Sequence, residues 1–325
     1  MKDFKRKQII IFTLIILLLT GCYQNKKVTF SGEGLGSYYT VTYIGKENKK
    51  LPIQIDSMIQ EFVKTFSFFD TNSMLSKINS NTSMEVNDDF VHLFNESKRI
   101  YQLTNGFFDP TVAPLVSMWG FGREQKKEIS QQEIDSIKQL VGYEKINLQQ
   151  KQIQKDDFRI QLNFNAIAEG YIVDKLVDFL EKEGYPNCLL YLGGEIKARG
   201  TKYGSDWQVG ILLPASDGKT NVDYVFPLKN RAVSTSGNYR KYHMKNGQRI
   251  SHIINPKTGL SEKSNLLSVT VLADNCIDAD ALATAFMVMG MKQALKFLES
   301  HPQYAAYFIY EENKVLKHKK TTNFP

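Results

Sequence analysis

The chain has 325 residues, of which 42% are hydrophobic and 23% charged, and its formal net charge is +7. That composition excludes a wholly disordered chain, and the length allows one large domain or two ordinary ones. The positive excess is spread over many lysines, which is a solvated surface and not the clustered footprint of a nucleic-acid binder, so no nucleic-acid partner is expected.

The first residues read as an export signal. "MKDFKRK" is basic, and "QIIIFTLIILLL" is an apolar run shorter than the roughly 20 residues of a membrane span. "LTGC" then sets small or uncharged residues before Cys22 and resembles the lipobox of bacterial lipoproteins. It implies a signal peptide over 1–21, lipidation of Cys22, and an anchored protein on the extracytoplasmic face of the cell membrane. The alternative is an uncleaved anchor helix. This segment carries Lys2, Lys5, Arg6 and Lys7 against Asp3, so removing its net +3 from the +7 leaves +4.

A tether is expected over 22–33 and a single domain over 34–325. "SYYTVTYI" (37–44) has the β-branched and aromatic content of a strand. Apolar residues at Ile55, Ile59, Phe62, Val63 and Phe66 fall at helical spacing, and a second helix is predicted over 90–103. The stretch 104–122 is too rich in Gly and Pro for one regular element. Ser130 and Glu133 form a capping-box pattern for a helix over 130–140. Short strands are predicted through "RIQLNFN". An amphipathic helix over 166–184 ends at Gly184. Strands follow near 188–192, 195–199, 206–213, 222–228 and 265–273. "CIDADALATAFMVMG" is a helix stopping near Gly290; a further helix, a strand at 304–310 and a polar basic tail close the chain. No repeat or long linker divides this order, so the expected fold class is α+β, one mixed unit. Cys188 and Cys276 sit among apolar residues and are read as buried free thiols, with a disulfide as the alternative.

Several constellations offer chemistry. Asp280 and Thr284 are four apart, so a helix presents both on one face as two hard oxygen ligands for Mg²⁺, with Asp278 nearby. The same pattern also suits an acidic helix start. In "LNFNAIAEGYIVD", Asn163 and Asn165 precede a helix whose free N–H groups would favour an anion, or are ordinary caps. "YLGGEIKARG" reads as a hairpin turn, and "GEGLGS" looks like a phosphate loop but lacks the Lys-Ser/Thr of a P-loop. "STSGNYRKY" suits phosphate binding or an exposed hairpin equally. "SHIINPKTGL" reads as a strand stopping at a tight turn, which places His252 by a loop.

Taken in order, these blocks resemble the ApbE family of exported flavin transferases. "GFFDPTVAPLVSMWGFG", "AIAEGYIVD", "LYLGGEI", "STSGNYR", "HIINPKTG" and "CIDADALATAFMVMG" carry the resemblance, from about Gly34 to Gly290. It implies FAD as substrate, bound in a cleft of the α+β unit. Ligation of Mg²⁺ would fall to Asp280 and the hydroxyl of Thr284, with the main-chain oxygen of Ala166 nearby. Flavin and adenine contacts would come from Leu35, Phe69, Phe107, Phe108, Asp109, Asn163, Glu169 and Ile254, and His252 would be the catalytic base. The family usually has Asp at positions 163 and 255, where this chain has Asn; it has Met at Leu35, and Lys is common at Glu169. The implied reaction moves FMN from FAD to a Ser or Thr hydroxyl of an exported acceptor protein and releases AMP. A flavin-binding lipoprotein without transfer, or an FAD pyrophosphatase, are the alternatives.

Overall fold

An antiparallel hairpin opens the fold. Strand β1 (Lys26–Gly34) pairs with β2 (Ser37–Gly45), and the two residues between them, Leu35 and Gly36, have φ of 55° and 72°. Two left-handed residues in a two-residue loop make a type I′ turn, whose twist matches the strands. Glycine adopts that conformation freely, whereas a leucine there is held at a cost on the order of 1 kcal/mol. The expected tether over 22–33 is therefore corrected. Pairing with β2 begins at Lys26, because Val28 and Phe30 pack on the core. "GEGLGS" is this hairpin turn and not a phosphate loop. The structure is a computed structural model, and it describes residues 25–122, 129–214, 221–239, 242–245, 248–262 and 264–325. The signal segment and Cys22 lie outside the described residues.

Helices α1 (Leu51–Phe66), α2 (Met74–Asn79) and α3 (Asp88–Leu103) follow. Between 104 and 122 the chain forms a 3₁₀ turn (Pro110–Val112), the single-turn α4 (Ala113–Val116) and a wide turn (Ser117–Phe121). Helix α5 (Gln131–Lys138) has the expected reciprocal cap between Ser130 and Glu133. The strands after it are β3 (Ile146–Gln149) and β4 (Gln152–Lys155), a small hairpin. "RIQLNFN" is not a strand: Leu162 N donates to Asn79 Oδ1 and Leu162 O accepts from Asn79 Nδ2, both at 2.8 Å, so a side chain takes the place of a neighbouring strand. Helix α6 spans Ala168–Lys182, and Gly184 follows with φ of 88°.

The remaining elements are β5 (Cys188–Leu192), β6 (Glu195–Arg199), β7 (Trp207–Leu212), β8 (Val222–Leu228), β9 (Ala232–Gly237), β10 (Tyr242–Lys245), β11 (Gln248–Ser251), β12 (Leu266–Ala273), α7 (Cys276–Ser300), β13 (Ala305–Glu312) and β14 (Val315–Lys320). Eight strands form one antiparallel sheet in the order β1-β2-β5-β6-β9-β12-β13-β14. Helices α1, α6 and α7 bury one face of it against Val41, Leu190, Val269 and Val271. The β7–β8 hairpin covers the other face, with Trp207, Phe226, Tyr307 and Phe324 between. This is the α+β class expected. Two segments are corrected: "STSGNYR" contributes β9 at mid-sheet rather than an exposed hairpin, and the basic tail is the edge strand β14. Helix α7 breaks at Gly290 (φ 72°, ψ 161°), close to the expected stop. Cys188 and Cys276 are free and buried.

Candidate active site

The site is built where α6 meets α7. A Cβ on Gly170 would lie 2.8 Å from the Cβ of Asp280, so only glycine permits this approach. Gly170 N donates to Asp280 Oδ2 at 2.9 Å. The start of α6 is thus capped from α7, and Ile167, at the N-cap, contributes no side-chain bond. Helical bonding begins with Tyr171 N to Ile167 O, which leaves the Ala166 carbonyl without its usual donor, since Gly170 N serves Asp280. The caps expected from Asn163 and Asn165 are not made. Asn163 Oδ1 instead accepts from Asn165 N at 2.8 Å, and Asn163 N donates to Pro110 O at 2.8 Å.

Asp280 is 5% exposed. Burial, and then the charge of Glu169, push its pKa well above the ordinary carboxylate value, against the Gly170 N–H. Thr284, one turn along α7, has its Oγ1 3.0 Å from Ser236 Oγ of β9. Asp278 does not join them. Two residues apart on a helix is more than a half-turn, and Asp278 is held by Arg99 and by the Tyr304 hydroxyl at 2.7 Å.

These groups line a cavity of about 1020 Å³. Leu35, Phe69, Phe107, Phe108, Asp109, Asn163, Ala166, Glu169, Asp280 and Thr284 all line it. His252 and Ile254 line it too, so every expected cleft residue lies on the same cavity. Phe69 is 62% exposed, at the rim. Asp109 accepts from Thr111 N at 2.8 Å and Thr111 Oγ1 at 2.6 Å; burial nevertheless raises its pKa to about 6.

His252 follows β11 directly, and its ring centre is 6.1 Å from that of Phe121. The turn behind it is firmly tied. Asn255 Oδ1 accepts from Lys257 N at 2.9 Å, Gly259 N donates to Asn255 O at 2.8 Å, and Trp119 Nε1 donates to Gly259 O at 2.7 Å. Asn255 Nδ2 also donates to Glu262 Oε1 at 2.6 Å, a bond an aspartate could not make. The asparagine at 255 thus has a positive structural reason.

The sequence reading missed Glu195, the first residue of β6. Its Oε1 accepts from Ser234 Oγ at 3.0 Å, while Oε2 is buried and its nearest polar company is the Glu169 carboxyl. A Cβ on Gly193 would collide with Glu169 Oε2 and lie 3.1 Å from Glu195 Oε2, so the two carboxyls converge over that glycine. Burial, then Asp280 and Glu169, push the Glu195 pKa well above its usual range. The signal that was available is an acidic residue at an inward strand position directly after Gly193-Gly194.

The ApbE family model matches residues 35–308. The chain belongs to the ApbE family. It is 33% identical over 297 residues to an FAD:protein FMN transferase of Vibrio cholerae, covering 88% of this chain and 89% of that one. It is 32% identical over 332 aligned positions to an FAD:protein FMN transferase of Haemophilus influenzae, with 97% and 96% covered. Among solved structures, the apo flavinyl transferase ApbE of Pseudomonas stutzeri superimposes with a TM-score of 0.82 at 30% identity, covering 92% of this chain and 96% of that one. The flavin transferase ApbE of Vibrio cholerae gives 0.81 at 29% identity, with 92% and 98% covered. The match takes in α6, α7, the β9 hydroxyls and the His252 turn, so all parts of the cavity lie within the ApbE region.

Proposed function

We propose that this ApbE-family chain transfers FMN from FAD to a Ser or Thr hydroxyl of an exported acceptor protein, with Mg²⁺ as cofactor. We place it on the extracytoplasmic face of the cell membrane, anchored by lipid at Cys22. The reading rests above all on Asp280, a buried acid beside the like charge of Glu169, which lines a cavity of about 1020 Å³ together with Thr284 one helical turn along. That volume is at the upper end of the roughly 300–1,000 Å³ typical of ligand pockets, which suits a dinucleotide.

The donors present fit Mg²⁺. Asp280, the Thr284 hydroxyl and the Ala166 carbonyl are hard oxygens, and the carbonyl lacks its helical donor. Three protein oxygens would leave the remaining positions of an octahedral ion to substrate oxygens and water. Bound there, Mg²⁺ would neutralise charge on the diphosphate of FAD. Phe69, Phe107 and Phe108 offer flat apolar surface to the flavin, and Leu35 and Ile254 offer aliphatic surface. Asp109, Asn163 and Glu169 supply hydrogen-bonding groups. His252 would take the proton from the acceptor hydroxyl as its oxygen bonds to the FMN-side phosphorus. The phosphorus–oxygen bond to AMP then breaks, and AMP leaves with the bridging oxygen.

The test is incubation with FAD, Mg²⁺ and an exported acceptor, read by mass spectrometry. An acceptor heavier by FMN supports transfer; free FMN with AMP, or intact FAD, refutes it in favour of a pyrophosphatase or a carrier. His252→Ala is expected to keep FAD binding and slow transfer by at least about tenfold. Undiminished transfer would remove His252 from the mechanism. Mass spectrometry of the mature N-terminus reads lipidation of Cys22 directly.

A further inference from the structure

One end of the β1–β2 hairpin is crowded with lysines. The register sets Lys26 opposite Gly45 and Lys27 opposite Ile44, so the start of β1 adjoins Lys46 and the loop carrying Lys49 and Lys50. All five are exposed. The loop is held down and does not trail away: Asn48 N donates to Tyr43 Oη at 3.1 Å, Lys50 N to Asn48 Oδ1 at 2.9 Å, and Leu51 N to Asn48 O at 3.2 Å. Tyr185 packs on the same end, its ring 4.5 Å from Tyr43. The acidic groups nearby do not cancel the charge. Glu47 is the sole carboxylate of the loop, Glu183 adjoins Lys182, and Glu181 is drawn to Arg199 at 3.5 Å.

The position of this end matters as much as its sign. Cys22 precedes Lys26 by four residues, a reach of at most about 14 Å when extended. A lipid on Cys22 therefore brings these lysines to the membrane surface with almost no tether between. At the other end of the hairpin, Leu35 lines the cavity. Nine residues of strand span about 30 Å.

We infer that Lys26, Lys27, Lys49 and Lys50 form a docking face for an anionic lipid surface, which stands the hairpin upright and holds the cleft about 30 Å from the bilayer. Acceptors must then present their hydroxyl at that height, on a projecting segment or a soluble domain. The proposal rests on the anchored location, but its test does not need the lipid.

The mature chain carrying Cys22→Ser is mixed with phosphatidylglycerol-containing vesicles or with pure phosphatidylcholine vesicles and sedimented. Binding is expected to the anionic vesicles alone and to fade at high salt. Each lysine close to such a surface contributes roughly fivefold to partitioning. Changing Lys26, Lys27, Lys49 and Lys50 together to Gln is expected to weaken binding by at least about tenfold and to leave FMN transfer in solution unchanged. A control set at distant exposed sites, Lys292, Lys296, Lys314 and Lys319 to Gln, removes the same charge and is expected to change binding little. Equal losses in the two sets, or undiminished binding by the first, would overturn the docking face. Neither result bears on lipidation, which the mass of the wild-type N-terminus reads separately.

Discussion

Two groups of carboxylates lie within a few residues of each other on α6 and α7, and they are treated in opposite ways. Asp174 is matched from every side: Lys197 Nζ lies 2.5 Å away, and Cys276 N and Ile277 N donate at 2.9 Å. Asp278 is matched by Arg99 and Tyr304. Asp280, by contrast, receives one amide and faces Glu169 and Glu195, and among the described residues no lysine or arginine forms an ion pair with any of the three. Burying an unmatched charge is costly, so such an arrangement persists where a ligand completes it. The matched pair places the helix; the unmatched group is the one that the proposed cation would complete.

The sharpest test of this contrast is Asp280→Asn. The amide can still accept from Gly170 N, so the apo fold is expected to hold or gain stability at pH 7 while transfer falls by about a thousandfold, the several kcal/mol expected of the proposed metal ligand. A urea melt and a turnover assay read the two together; a strongly destabilised variant would erase the distinction. Asp174→Asn is the mirror image. It strands the Lys197 ammonium, whose side chain is 8% exposed, and is expected to cost about 3–5 kcal/mol in urea denaturation.

Asp109 extends the comparison to pH. Its pKa is raised from 3.8 to about 6 in the fold, chiefly by burial. A raised carboxyl favours the protonated folded state, so its contribution is complete below about pH 4 and is lost as the pH passes 6. Wild type is therefore expected to lose about 3 kcal/mol relative to Asp109→Asn across that window, with no further change above it. A flat difference between the two unfolding curves would show that Asp109 is not held in this way. The smallest effect concerns Glu195→Gln. Glutamine keeps the bond from Ser234 and turns an amide toward Glu169, so a gain of about 1 kcal/mol and a higher Tm are expected. A lower Tm would mean that Glu195 Oε2 is already matched.

How much of this was legible in the chain depends on the range of the interaction. The cap of α5, the glycine after α6 and the Asp280–Thr284 spacing are local, and the sequence displayed them. Helix α2 was missed because six residues show no period. Strands β1 and β14 were missed because an edge strand that is largely solvated looks like a polar tail. "RIQLNFN" misled because its alternation suits a strand, yet Asn79, far away in the chain, takes its backbone bonds.

The sequence by itself determined the fold class and the ApbE motifs, and the resemblance those motifs carry pointed to the residues that line the cavity; local spacing alone gave the Asp280–Thr284 pair. Only the tertiary structure decided which carboxylates are satisfied and which are bare. It set Asp278 apart from Asp280, brought Glu195 against Glu169 over Gly193, and gathered lysines from two strand ends at the root of the hairpin. Charges act through space and are balanced by whatever folding places beside them, and the neighbours here come from segments as far apart as residues 99, 170, 195 and 280.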